Sequence, residues 1–133
     1  MLTFQLEIIT PNKTVYTGTV EHFRAPGTQG GFGVLAGHLP MLTSLEVGQI
    51  LFKEQGGPFQ RLAISGGFAE IQRDRVTVLA ESAEFTEEID VVRAQAARDR
   101  ALERLHHAAG IDVIRAQAAL ARALNRLKAA SAG

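Results

Sequence analysis

Residues 89–105 read IDVVRAQAARDRALERL and residues 111–127 read IDVIRAQAALARALNRL, with 13 of 17 positions identical. Only His106, His107, Ala108, Ala109 and Gly110 separate the copies. A duplicated amphipathic segment returned across five residues that end in glycine predicts an antiparallel helix pair. Thr86 is the expected N-cap, with Glu87, Glu88 and Asp90 in a first turn where the helix dipole favours acids. Each helix is expected to run about 18–20 residues, roughly 27–30 Å. Ile89, Val92, Ala96, Leu102 and Leu105 form the expected core stripe of the first, and Val113, Ala116, Leu120, Leu124 and Leu127 that of the second. Both stripes are rich in alanine, so each buries little area and the pair gains little stability of its own.

Upstream the grammar differs. All four prolines and 11 of the 13 glycines precede residue 68, whereas 14 alanines fall within 85–133. Leu2, Phe4, Leu6 and Ile8 alternate with polar residues, the period of a half-buried strand. Pro11-Asn12-Lys13-Thr14 predicts a turn, after which Val15 to Arg24 returns as a strand. Gly56-Gly57-Pro58 and Arg73-Asp74 separate further runs at Ile50–Glu54, Phe59–Ile64, Phe68–Gln72 and Val76–Ala80. Many short strands at this spacing predict a β-sandwich or flattened barrel. The expected division is therefore a β domain over 1–85 and an α-helical hairpin over 86–133.

Charge and composition narrow the function. Six basic residues face eight acidic ones through residue 84, and eight face six beyond it, so the net charge is zero. Neither half has the positive field of a nucleic-acid binder. The chain has no cysteine, which excludes disulfides, thiolate metal sites and cysteine nucleophiles. No apolar run approaches 18 residues and no signal peptide opens the chain, so a soluble protein without direct membrane insertion is expected.

Few motifs carry chemistry. Gly30-Gly31-Phe32-Gly33 lacks the Gly-Lys-Ser/Thr and the strand-to-helix context of a phosphate loop. Ser65 in Ile64-Ser65-Gly66-Gly67 is not a nucleophile elbow. His22, His38, His106 and His107 include no i, i+4 pair, so no metal site is expected. No carboxylate pair stands out as an acid/base couple, and no catalytic residue is assigned. The arginines are different. Arg93, Ala97, Arg100 and Arg104 lie at i, i+4, i+7, i+11 on one helix face, and Arg115, Ala119, Arg122 and Arg126 repeat the row. Such rows are either solvated faces paired with Asp90, Asp99 and Glu103, or a clamp for a polyanion, since planar guanidiniums suit phosphate oxygens.

Gly33-Val34-Leu35-Ala36-Gly37-His38-Leu39-Pro40, Ile64-Ser65-Gly66-Gly67-Phe68-Ala69-Glu70-Ile71, Val76-Thr77-Val78-Leu79-Ala80, the Ile-Asp-x-x-Arg-Ala helix and Arg122-Ala123-Leu124-Asn125-Arg126-Leu127 occur in one order across the chain. As a set they resemble the epsilon subunit of bacterial rotary F-type ATP synthase. The resemblance implies a ten-stranded flattened β-sandwich followed by the antiparallel two-helix hairpin. It implies a non-catalytic central-stalk subunit that binds gamma, touches the c subunits of the rotor ring and turns with both. The hairpin would fold back, or extend into the catalytic alpha/beta head and block ATP hydrolysis. The location implied is peripheral, on the cytoplasmic face of the bacterial inner membrane. No cofactor is required; ATP is the implied regulatory ligand, held by the folded hairpin.

By the same resemblance, the nucleotide motif falls on Ile89, Asp90, Arg93 and Ala94, with associated positions at Glu84, Arg100, Arg122 and Arg126. Gly31, Gly33 and His38 fall in the loop implied at the subunit interface. Two departures concern that loop: Gly31 stands where the family commonly has an acid, and Ala36 where it has a proline. The first weakens a charged contact to the ring, and both loosen the backbone. The second motif copy, Ile111, Asp112, Arg115 and Ala116, is explained by duplication without a second nucleotide site. The alternatives are a purely structural coupling subunit that senses nothing, and an unrelated β-sandwich adaptor with a partner-binding coiled coil.

Overall fold

The computed structural model describes residues 2–37, 40–107 and 109–132. The chain divides into two compact units, Met1–Phe85 and Thr86–Gly133.

The first unit contains β1 (Phe4–Ile9), β2 (Thr14–Ala25), β3 (Phe32–Val34), β4 (Met41–Glu54), β5 (Phe59–Ile71), β6 (Arg75–Ala80) and β7 (Ala83–Phe85). Pairing runs β1-β6-β5-β4-β2, and β2 pairs back with β1, so the sheet closes on itself. Closure removes two free edges. The β1–β6 pair is parallel and the other pairings are antiparallel. β3 and β7 extend β2 and β5 at the margins.

Seven strands therefore stand among the described residues, where the resemblance implies ten. The expected Phe59–Ile64 and Phe68–Gln72 runs are one strand, and the run expected at Ile50–Glu54 begins at Met41. Long strands continue through bends that sequence punctuation marks as ends. Gly66 and Gly67 allow this in β5, with φ of +111° and +146°. A Cβ on Gly67 would collide with the Leu79 carbonyl oxygen of β6.

Alternation fills the interior. Phe4, Leu6 and Ile8 of β1 meet Val20 and Phe23, Ile50 and Phe52, Leu62 and Ile64, and Val76 and Val78 in one core. Leu2, expected on that face, precedes the strand and is exposed. Among the described residues of this unit, one charged side chain is buried. A register shift between Val20 and His22 bulges β2 and turns Glu21 inward. Its Oε1 meets Lys53 Nζ at 2.8 Å.

The second unit opens with a 3-10 turn, η1 (Thr86–Glu88), followed by α1 (Val91–His107) and α2 (Ile111–Ala132). Thr86 is not the α1 cap: its carbonyl accepts from Ile89 N–H within the short turn. Asp90 takes that place, its Oδ1 accepting from Arg93 N–H at 3.0 Å and its carbonyl from Ala94 N–H at 2.9 Å.

The expected stripes hold in part: Ala116 and Ile89 are buried, whereas Ala96 is exposed and the leucines do not form the seam. Ala94 and Ala101 of α1, and Ala116, Ala123 and Ala129 of α2, are buried. Leu102 and Leu124 are 42% and 47% exposed, and Val92 is 75% exposed. Alanine brings two helix backbones close, and the larger side chains are displaced to the flanks. Ala94 and Ala101 correspond to Ala116 and Ala123 in the duplication, so the two copies bury the same face.

Candidate functional site: the arginine face of the hairpin

The alanine seam fixes where the arginines point. At about 100° per residue, Arg93, Ala97, Arg100 and Arg104 lie roughly 60–120° to one side of the Ala94–Ala101 line. Arg115, Ala119, Arg122 and Arg126 have the same offset from Ala116–Ala123. In an antiparallel pair, equal offsets of the same hand fall on the same face of the hairpin. Duplication followed by a tight turn thus gathers both rows on one surface.

Among the described residues, the acids leave most of this face without an ion pair. Asp99 pairs with Arg98 at 3.0 Å, outside the rows. Glu103 pairs with His107 at 3.3 Å, one turn along the same helix. Asp90 caps α1 through the main chain of Arg93. Arg93, Arg100, Arg104, Arg115 and Arg122 are exposed, and among the described residues none has an ion-pair partner. Arg126 is half-buried and already engaged by a neighbour. Guanidiniums left with water alone can exchange it for phosphate oxygens at little cost.

The residues named from sequence separate into two groups. Asp90, Arg93 and Ala94 sit together at the start of α1, directly after buried Ile89. Arg100, Arg122 and Arg126 follow on the same face. Ala94 belongs to the seam, so its role is to let α2 approach. Glu84 lies on β7 of the first unit, opposite Ala63 of β5, and is half-buried.

Gly33 lies on β3 opposite Arg24 of β2, and Gly31 immediately precedes that strand. A Cβ on Gly31 would meet only the Ala25 carbonyl, at 3.8 Å, so the fold does not demand glycine there. Phe32 between them packs on the core, as does Ala36 beyond. His38 lies outside the described residues.

One surface escaped the sequence reading. Phe68 and Leu79 face each other across β5 and β6 and are 55% and 54% exposed. With Ile9, Pro11 and their neighbours they line an open hollow of about 350 Å³. The available signal was the register: Ala69 is interior, so Phe68 beside it points out, and a large aromatic on the outward register marks a contact surface.

Among the described residues no group of three or more potential metal ligands occurs, and no helix is long and apolar enough to cross a membrane.

Comparison with known proteins gives one answer. Residues 3–86 match the family model of the ATP synthase delta/epsilon chain β-sandwich domain, and residues 87–131 that of its long α-helix domain. The ATP synthase epsilon chain of Pelotomaculum thermopropionicum is 50% identical over 103 residues, covering 77% of this chain and 76% of the relative. That of Desulfosudis oleivorans is 50% identical over 101 residues, covering 76% of each. Among solved structures, a chain of the Euglena gracilis mitochondrial ATP synthase, from an OSCP/F1/c-ring assembly, matches with a TM-score of 0.85 at 25% identity, over 97% of this chain and 81% of that one. A chain from the central stalk and c-ring of the Tetrahymena thermophila enzyme has the same fold, with a TM-score of 0.71 at 14% identity and 97% coverage of both. With both domains matched in order and half the residues shared with such relatives over three-quarters of its length, the chain belongs to the epsilon-chain family of the F-type ATP synthase central stalk.

Proposed function

We propose that this chain couples rotation between the catalytic head and the proton-translocating rotor, and restrains ATP hydrolysis through its hairpin. The β unit is the rigid coupling part: a closed sheet with one continuous core transmits torque without shearing open. The Phe68–Leu79 patch is its contact for gamma, and the 31–37 segment faces the ring of c subunits. It contributes no catalytic group. Its place is peripheral, at the cytoplasmic face of the bacterial inner membrane.

The observation that carries the regulatory part is the arginine face. A hairpin whose helices meet through alanines is weakly held. It also displays Arg93, Arg100 and Arg122 without an ion-pair partner among the described residues, beside Arg126, which a neighbour already engages. Phosphate oxygens of ATP bound by Arg93, Arg100, Arg122 and Arg126 would retain the closed pair, at about 1.5–3 kcal/mol for each charged hydrogen bond. Without nucleotide, the same arginines would engage acidic surface on the alpha/beta head and oppose rotation. Conformers a few kcal/mol apart are shifted by a ligand that binds only one of them. Glu84 and Asp90 would serve the base, the sugar or an arginine.

Calorimetric titration of ATP into the chain, with Arg93→Ala/Arg126→Ala alongside, tests this reading. Saturable one-to-one binding that the double substitution abolishes is expected. Absence of binding at millimolar ATP would leave the coupling role and remove the nucleotide-gated brake. Deleting residues 88–133 should release hydrolysis by the assembled complex; unchanged hydrolysis would remove the inhibitory role.

A further inference from the structure

At the turn end of the hairpin, Arg104 and His107 of α1 and Asp112, Arg115 and Ala116 of α2 line one open hollow of about 390 Å³. Arg104 and Arg115 come from different helices, are exposed, and have no ion-pair partner among the described residues. The lining carries two guanidiniums against one carboxylate, Asp112, while Glu103 beside it is held against His107. Guanidinium forks brought by two helices to the lining of one hollow suit a tetrahedral oxyanion, which takes paired N–H donors from more than one direction.

The duplication explains how such a hollow arose. A shift of 22 positions carries Arg104, Asp112, Arg115 and Ala116 onto Arg126, Asp90, Arg93 and Ala94. Two near-identical helices packed antiparallel through the same alanines have equivalent ends, so the turn end rebuilds the arginine arrangement of the open end. The ends are not chemically equal. Asp90 gives Oδ1 to the α1 cap. Asp112 lies within α2, where Gly110 supplies the capping carbonyl to Val113 N–H at 3.1 Å, and among the described residues its carboxylate has no cap bond.

We propose that this turn-end hollow is a phosphate site, taking inorganic phosphate or diphosphate between Arg104 and Arg115. It is independent of nucleotide binding at the open end of the hairpin, and the two can fail separately. The test follows the arginine Nε–H signals of the full chain by NMR during titration with phosphate, diphosphate and ATP at constant ionic strength. Saturable shifts of Arg104 and Arg115 with phosphate or diphosphate are expected. Arg104→Ala/Arg115→Ala should weaken diphosphate binding at least tenfold while ATP binding through Arg93 and Arg126 persists. In Arg93→Ala/Arg126→Ala the turn-end shifts should remain. In that variant, diphosphate binding at least as tightly as ATP identifies free phosphate as the ligand; ATP binding tenfold tighter identifies the phosphate tail of a nucleotide, and both outcomes uphold the site. Shifts reproduced by chloride, or diphosphate affinity unchanged in Arg104→Ala/Arg115→Ala, would overturn the proposal and return these arginines to a solvated face.

Discussion

Asp90 Oδ1 accepts a hydrogen bond from the main-chain N–H of Arg93 at 3.0 Å, so the first arginine of the row is set in place by the residue that starts its helix. Its sequence counterpart, Asp112, has no such cap bond among the described residues.

Asp90→Ala should therefore lower hairpin stability by about 1 kcal/mol, the usual cost of a lost N-cap. Asp112→Ala should cost only about 0.3–1 kcal/mol, through the helix dipole alone. Far-ultraviolet dichroism melts of both variants check this; equal losses would mean that the cap bond contributes nothing.

Ala94 and Ala101 are buried, whereas Leu102 beside them is 42% exposed. Ala101→Leu should force the helices apart and cost about 1–3 kcal/mol. Leu102→Ala should change stability by less than about 0.5 kcal/mol, as exposed positions usually do. The reverse order in a melting comparison would refute an alanine seam.

Gly67 has φ of +146° and its missing Cβ faces the Leu79 carbonyl. Gly67→Ala combines backbone strain of about 1–3 kcal/mol with a steric collision. Loss of the cooperative transition of the β unit is expected, with sparse soluble expression. A well-folded Gly67→Ala variant would contradict the close approach of β5 and β6.

A Cβ on Gly31 would meet nothing nearer than the Ala25 carbonyl at 3.8 Å, so Gly31→Glu should leave the melting temperature within about 2 °C of the parent, a surface effect under about 0.5 kcal/mol. If this segment meets the rotor ring, the same variant should change retention of the chain on isolated rings and make it salt-dependent. Unchanged retention would remove the segment from that contact.

Tyr16 donates its hydroxyl to Glu54 Oε2 at 2.9 Å and stacks near Phe52, with ring centroids 4.3 Å apart. Burial, then the hydrogen bond and the charge of Glu54, push the phenol well above its ordinary pKa of 10.0. The folded chain holds this proton more tightly than the unfolded one. Its stabilisation is therefore complete below pH 10 and is lost as pH rises from there toward the folded value. Tyr16→Phe should flatten the stability profile above pH 10, and a slope unchanged by the substitution would contradict this linkage.

Several features were legible before folding. The duplication, its five-residue connection and the switch from period two to period 3.6 define a β unit followed by an antiparallel hairpin, because they reflect local geometry. The arginine rows follow from spacing on a single helix. The motif set gave the family as a resemblance, and the two domain models then matched the chain in the same order.

Other features were decided only by tertiary contact. Leucines looked like the helix core by hydrophobicity, yet the partner backbone comes close enough that alanine occupies the seam and leucine the flank. Gly66 and Gly67 read as a break, but close packing of β5 on β6 carries the strand through them. Ile89-Asp90 and Ile111-Asp112 are the same dipeptide with different fates. The first follows a 3-10 turn and leaves Asp90 free to cap, while Gly110, at φ +64°, starts α2 directly and places Asp112 inside it. Local spacing marked the β unit, the two helices and the side chains that share a helix face, since those depend on near neighbours along the chain, whereas the joining of shorter runs into β4 and β5 depended on strand pairing. Which of those faces is buried, and which end of the hairpin becomes a hollow, was decided by the tertiary structure, because burial depends on atoms supplied from elsewhere in the fold.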